Sequence, residues 1–310
     1  MDTPTPDRTT LAAFIGAVLF GGGNFLAVKL SNEQLDPLYG ATLRFSAAAL
    51  LLFAIATIRG ASLPRGREAL GAVWYGVLGF GISYALLYFA LVELSPGLTS
   101  VIVAATPLLT LTFAVAHRQE SFTTRKLVGG LLALAGIGVL SIRTVTGDLS
   151  VIHLLAAMVA VAAIAESSVV VKGLRNASPF MTNAVGMTTG AVMLAVGSLV
   201  FREDWVVPEE TATWVVLAWL VTAGSVGLFS LFLFVISRWT ASASVYAVTL
   251  MPVVAVVLGV MFVDEDLTAD LIVGGALVLG AVYIGALSRD EPSVPIGSQA
   301  EVLPATDAAS

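Results

Sequence analysis

Glu166 is a carboxylate set inside an apolar stretch, several residues before the basic end at Lys172. A charge in hydrocarbon is costly, so such a residue faces a protein interior, is paired, or is protonated. It suits proton coupling or contact with a substrate amine; a structural ion pair or a snorkelling acid is the competing role. Arg44 lies about two turns into the second apolar block, where its fork could take a substrate carboxylate bidentately. Its competing role is a structural pair with an outer acid such as Glu33, or with backbone carbonyls. Asn24 follows Gly21-Gly22-Gly23 midway along the first block. Three glycines let backbones approach closely, so the Asn amide or an exposed carbonyl could reach a solute, or the glycines could simply pack helices. Tyr84 and Tyr88, four apart, share a helical face, and Phe229 with Phe232 occupies the related stretch of the second half. Such rings suit an apolar or cationic solute, and equally plain helix packing. Pro107 and Pro252 interrupt helical hydrogen bonding and free the carbonyls of Val103 and Val248, which predicts kinks. Thr106, Tyr246 and Thr249 lie beside them and could add polar contacts, although Thr often satisfies its own helix.

Other chemistry is poorly provided for. The chain has no cysteine and two histidines, His117 and His153. His117 falls in a loop and His153 near a membrane edge, whereas an intramembrane hydrolase or metalloprotease would want His within the bundle; paired acids are missing from the spans. An enzyme is therefore the weak alternative, and neither a catalytic residue, a metal nor a cofactor is expected. The net charge of −6 argues against nucleic acid as a partner. Gly21-Gly22-Gly23 is no phosphate loop, since neither a preceding strand nor a following Lys-Ser/Thr is present.

These residues must be positioned by elements that tolerate lipid. The hydrophobic fraction is 57% and the charged fraction 12%, against roughly a quarter charged in soluble domains. The apolar residues form continuous blocks of about 20 residues, the length that spans a bilayer as a helix. The blocks read as 10–30, 37–58, 69–92, 95–116, 126–143, 149–171, 179–201, 213–236, 240–263 and 269–288. The fold class expected is an all-α membrane protein of ten transmembrane helices. Residues 1–9 form a cytoplasmic tail, and they make a poor signal-peptide start. Residues 10–146 form a first five-helix repeat, 147–288 a second, and 289–310 a disordered cytoplasmic tail.

Basic residues set the orientation. With both termini cytoplasmic, the inner segments hold Arg8, Arg59, Arg65, Arg67, Arg118, Arg125, Lys126, Lys172, Arg175, Arg238 and Arg289. The outer ones hold Lys29, Arg143 and Arg202, with Lys29 snorkelling outward. That bias is the positive-inside pattern. Acids such as Glu203, Asp204, Asp264, Glu265 and Asp266 fall outside. The Asn176-Ala-Ser178 sequon falls in an inner loop and is discounted.

A shift of 145 residues aligns the halves without a gap from about Trp74 to Leu134. Trp74 falls on Trp219, Gly79 on Gly224, Pro107 on Pro252, Glu120 on Glu265 and Thr123 on Thr268. Upstream, Lys29 matches Lys172 at 143 and Pro37 matches Pro179 at 142. Five spans per repeat is an odd number, so the second half must insert upside down. Inverted repeats mark secondary transporters, with the solute site near the midplane where the repeats meet.

The chain resembles the EamA type of the drug/metabolite transporter superfamily over nearly all of residues 11–288. The resemblance is carried by Phe20-Gly-Gly-Gly-Asn24-Phe25 running to Lys29, Pro37 with Arg44-Phe45, Tyr88-Phe-Ala-Leu91 into Ser95, Pro107 followed by Glu120, and the repeated Pro252 and Glu265. Phe20 stands where the family usually has Trp, and the second half keeps only Lys172 of the first-helix pattern. The resemblance implies an inner-membrane carrier of small metabolites or amino acids, often by efflux. It also implies a central cavity lined by helices 1, 3, 4, 6, 8 and 9, with helices 5 and 10 peripheral. Gly129, Ala133, Gly274, Gly275 and Gly280 give those two helices small surfaces, suited to packing within a monomer or between protomers of a homodimer. The competing functions are a passive channel and a non-transporting membrane sensor.

Overall fold

A computed structural model describes residues 6–91, 93–94, 99, 102–140, 150–174, 177–262 and 269–287. Every regular element among them is helical. In chain order these are α1 (Arg8–Ser31), α2 (Pro37–Ile58), α3 (Arg67–Leu91), α4 (Thr106–Ala116), α5 (Thr124–Leu140), α6 (Val151–Lys172), α7 (Pro179–Phe201), α8 (Thr211–Arg238), α9 (Tyr246–Phe262) and α10 (Ala269–Val282). A single turn, Ala241–Ser244, precedes α9. Among the described residues α2, α3, α6, α7 and α8 are each long and apolar enough to cross a membrane. Ser95, Arg143, Arg175, Asn176, the Asp264–Thr268 stretch, the tail from Arg289 and the Lys29 side chain lie outside the described residues.

The helix ends follow from local chemistry. Pro37 and Pro179 open α2 and α7 in the first turn, where a missing N–H costs nothing. Asp7 caps α1 by accepting from the Thr10 N–H at 2.8 Å. Bonding to Thr10 holds its carboxyl below the usual carboxylate range. The start of α2 is capped from the other half: Glu203 accepts from the N–H groups of Leu38 (3.0 Å) and Tyr39 (2.7 Å). Lys172 closes the end of α8 by donating to the carbonyls of Ile236 (2.7 Å) and Trp239 (2.6 Å).

One expected span differs. The fourth block reads as continuous with Pro107 near its middle, but α4 begins at Thr106, after a turn at Ala104–Ala105. Pro107 thus sits in a first turn, which its missing N–H and its clash with the preceding turn both favour. Thr106 Oγ1 donates to the Val103 carbonyl at 2.5 Å, the very carbonyl that Pro107 leaves without its helical donor. Pro252, by contrast, lies inside α9.

The helices pack crosswise between the halves. α1 packs against α8 and α9, and α6 packs correspondingly against α3 and α4. α2 packs on α7, and α5 on α10. In both of those pairs the partners run antiparallel: Gly197, late in α7, faces Leu38 at the start of α2, while Gly129 meets Gly285 and Gly136 meets Gly274. Gly129, Gly136 and Gly280 thus pack α5 and α10 together within one chain, while Gly130 faces Leu108 of α4 and Gly275 faces Val253 of α9. Large apolar side chains such as Leu50, Leu199, Val200 and Trp214 point outward, as a lipid-facing surface requires.

Candidate functional site

Two stretches inside long helices are wound as π-turns, Val77–Ile82 in α3 and Thr222–Gly227 in α8. A shift of 145 residues carries one onto the other at both ends. Such turns widen the i→i+4 ladder, strand backbone groups and recur at functional sites. In α8 the Gly224 carbonyl accepts from Asn24 Nδ2 at 2.9 Å and from Arg44 Nη2 at 2.7 Å. Arg44 Nε donates to Ser225 Oγ at 2.7 Å. Helices α1 and α2 thus both reach into the same turn of α8.

Arg44 is 3% exposed. Its partners are a carbonyl and a hydroxyl. The ion pairs among the described residues, His117–Glu166, Lys126–Glu120 and Arg238–Asp7, do not include it. Its guanidinium carbon lies 5.0 Å from the centre of the Phe45 ring.

An aromatic cluster adjoins the guanidinium. Phe45 from α2 stands edge-on to Tyr84 (4.9 Å), Phe80 (5.1 Å) and Phe229 (6.5 Å), and Phe80 meets Phe229 at 4.7 Å. Tyr84 and Tyr88 lie 6.3 Å apart along α3. Phe45 and Phe80 are fully buried, whereas Tyr84, Tyr88, Phe229 and Phe232 keep part of their surface open while packed on the same core. The arrangement offers one buried cation, an amide, a hydroxyl and several ring edges.

The candidate residues divide by this geometry. Asn24, Arg44, Tyr84, Tyr88, Phe229 and Phe232 fall around the α8 turn and its cluster. Tyr246 does not: its hydroxyl points at Gly129 and Gly285, between α5 and α10. Thr249 is buried with a hydroxyl that lacks a partner among the described residues. Thr106 is committed to Val103. Glu166 Oε1 lies 3.0 Å from His117 Nε2, with both side chains partly accessible. Gly21 and Gly22 sit against Met251 and Val254 of α9, and Gly23 against Trp219, so those glycines serve close packing.

Three features escape residue-by-residue reading. Ser225 and Phe80 carry no motif, although glycines at 79, 81, 224 and 227 mark both turns as weak points in long apolar helices. Glu120 reads as a loop residue, yet it is buried and joins the halves. It pairs with Lys126 at 2.8 Å, accepts from the Ser242 N–H at 2.9 Å, and is hydrogen-bonded to the Ser242 hydroxyl. The carboxylate caps the turn leading into α9. Groups of three or more metal-ligating side chains do not occur among the described residues.

Known proteins agree with this architecture. The model of the EamA-like transporter family matches residues 8–142 and again 151–286. An uncharacterized inner membrane transporter of Escherichia coli strain K12, YedA, is 28% identical over 92% of this chain and 93% of its own length. The uncharacterized transporter YvbV of Bacillus subtilis is 27% identical over 95% of this chain and 96% of its own. A chloroplastic WAT1-related protein of Arabidopsis thaliana is 27% identical over 87% of this chain and 67% of its own. A solved protein structure superposes with a TM-score of 0.80, covering 91% of this chain and 98% of the other at 20% identity, a likeness of fold.

Proposed function

This chain belongs to the EamA-like transporter family, and from that premise we propose that it is a secondary transporter, an exporter of small organic metabolites, working by alternating access. Ten spans, both termini in the cytoplasm and an inner-membrane location complete the reading. The halves are inverted repeats of residues 10–146 and 147–288. The observation that carries this is the crosswise, antiparallel packing. Repeats related by an axis along the membrane normal run their counterpart helices parallel; here α2 and α7, and α5 and α10, run antiparallel. Such a pair supplies two near-equal arrangements, one open to each side. The solute site is the Asn24, Arg44, Tyr84, Tyr88 and Phe229 group, where α1, α2, α3 and α8 meet. With α5 and α10 covering each other, the working unit is the monomer.

A second element of the proposal concerns energy coupling. His117 and Glu166 meet at 3.0 Å between the end of α4 and the body of α6, and Glu166 is the proton-coupling residue. Glu166→Gln then flattens the response of transport to an imposed pH gradient; an unchanged response removes Glu166 from that role.

The deciding experiment is counterflow. Purified protein is reconstituted in liposomes loaded with a mixed amino-acid and metabolite pool, and uptake of labelled solutes is compared with empty liposomes. Saturable, exchange-stimulated uptake is expected. Flux that neither saturates nor responds to the internal pool indicates a channel, and no flux of any solute indicates a sensor.

A further inference from the structure

We infer that the Arg44 guanidinium is the subsite for the negative group of the solute, so that the cargo is an organic monocarboxylate with an apolar or aromatic body. This rests on the transporter reading and names its substrate class. An ion withdrawn from water is costly unless an opposite charge meets it; Arg44 is 3% exposed with hydrogen bonds to neutral partners only, and the Glu203 carboxylate is taken up by the Leu38 and Tyr39 N–H groups. A bound carboxylate supplies the missing charge. The fork matches it: Nε and Nη2 are engaged by Ser225 and Gly224, and the Nη1 edge has no partner among the described residues. A planar carboxylate meets a guanidinium in that way.

Two details sharpen the class. The Gly224 carbonyl has two donors, Asn24 and Arg44. Arg44 can therefore turn to the solute while Asn24 keeps the carbonyl satisfied, and loading leaves no orphaned backbone group. The charge count favours a monoanion. Lys126 is committed to Glu120, and Lys172 to the carbonyls ending α8, so among the described residues one guanidinium is left to face one negative charge, and a phosphate dianion would stay half compensated by it. The rings of Phe45, Phe80, Phe229 and Tyr84 pack together beside it, an apolar surrounding that suits an apolar body.

The test is counterflow with solutes matched in body and differing in head: phenylacetate, phenylacetamide and phenethylamine, an aliphatic set of hexanoate, hexanamide and hexylamine, and inorganic phosphate. Leak is taken from empty liposomes. The carboxylates are expected to exchange at least about tenfold faster than their amides and amines, the scale of a charge-assisted hydrogen bond. Arg44→Gln should erase that preference and Arg44→Lys retain part of it. Amides, amines or phosphate exchanging as well as the carboxylates overturns the inference and leaves the transporter reading standing, as does a preference that survives Arg44→Gln. Saturable exchange of the loaded amino acids with none by this panel also overturns it. No exchange of any solute overturns both. Where Arg44→Gln does not fold, the wild-type series decides alone.

Discussion

Gly79 and Gly224 occupy the same place in the two halves, each inside a π-turn, yet their carbonyls are satisfied in opposite ways. Gly79 accepts from Ser83 of its own helix at 2.8 Å. The position equivalent to Ser83 in the second half is Leu228, which has no hydroxyl, and Gly224 is held by Asn24 and Arg44 from α1 and α2. The flanking seams differ correspondingly. Beside α3, a Cβ on Gly76 would lie 2.4 Å from the Gly186 carbonyl oxygen, and one on Gly190 2.3 Å from the Phe80 Cβ. Beside α8, a Cβ on Gly224 would meet only the movable Asn24 amide, at 2.0 Å. At the twin position itself a Cβ on Gly79 would meet the Ser167 side chain at 3.1 Å; backbone contact closes the α3 seam at Gly76 and Gly190, whereas the Asn24 and Arg44 side chains hold the α8 turn. Under the proposed function, one contact serves as a rigid bearing and the α8 turn is the one a ligand can enter, because hydrogen bonds made by side chains can be traded while backbone contact cannot.

The comparison can be broken at several points. The largest effect is expected at the closed seam: Gly76→Ala should lower folding stability by about 1–3 kcal/mol through overpacking, seen as a lower Tm of the purified protein. Gly224→Ala should cost less than half of that, because Asn24 can yield, while still impairing transport. Equal stability losses would erase the distinction between the seams. Next, Asn24→Ala removes one of two donors to Gly224 and should slow counterflow by about fivefold, near 1 kcal/mol. No change in rate would mean that Arg44 alone holds the turn. Smallest is Ser83→Ala: the turn it serves lies on the closed side, so transport should change by less than about twofold, with roughly 0.5 kcal/mol of stability lost. A large transport defect there would make the two turns functionally alike.

Much of the fold was legible in the residue order. Apolar block lengths and the helix-opening Pro37 and Pro179 placed α2 and α7, and the 145-residue register put Gly79 on Gly224 before either turn was known to be π-wound. The site was legible in part. Arg44, Asn24, Tyr84, Tyr88 and Phe229 stood out as polar or aromatic groups in costly or shared-face positions, and they do converge. Tyr246 did not follow, because helical spacing fixes the face of a residue's own helix and not the neighbour that face meets; the notch at Gly129 and Gly285 took its ring. That Arg44 meets a backbone carbonyl was among its expected roles; which carbonyl was hidden for a related reason. A long side chain reaches wherever docking leaves an acceptor, and the acceptor at Gly224 exists through a π-turn that propensity does not announce. Glu120 was visible as a repeated loop acid, but its burial against Lys126 and Ser242 depends on how the halves close.

That closure gives the most direct test of rocking halves around a central site. The natural chain contains no cysteine, so introduced thiols report alone. Tyr88→Cys marks the cluster, and Glu120→Cys with Ser242→Cys allows a disulfide across the contact that joins the halves at one end. In oriented vesicles, a membrane-impermeant maleimide should label Tyr88→Cys from both sides before cross-linking. After it, labelling should proceed only from the side away from Glu120, with reduction restoring the other. Labelling from the Glu120 side that persists after complete cross-linking would contradict alternating access in this fold.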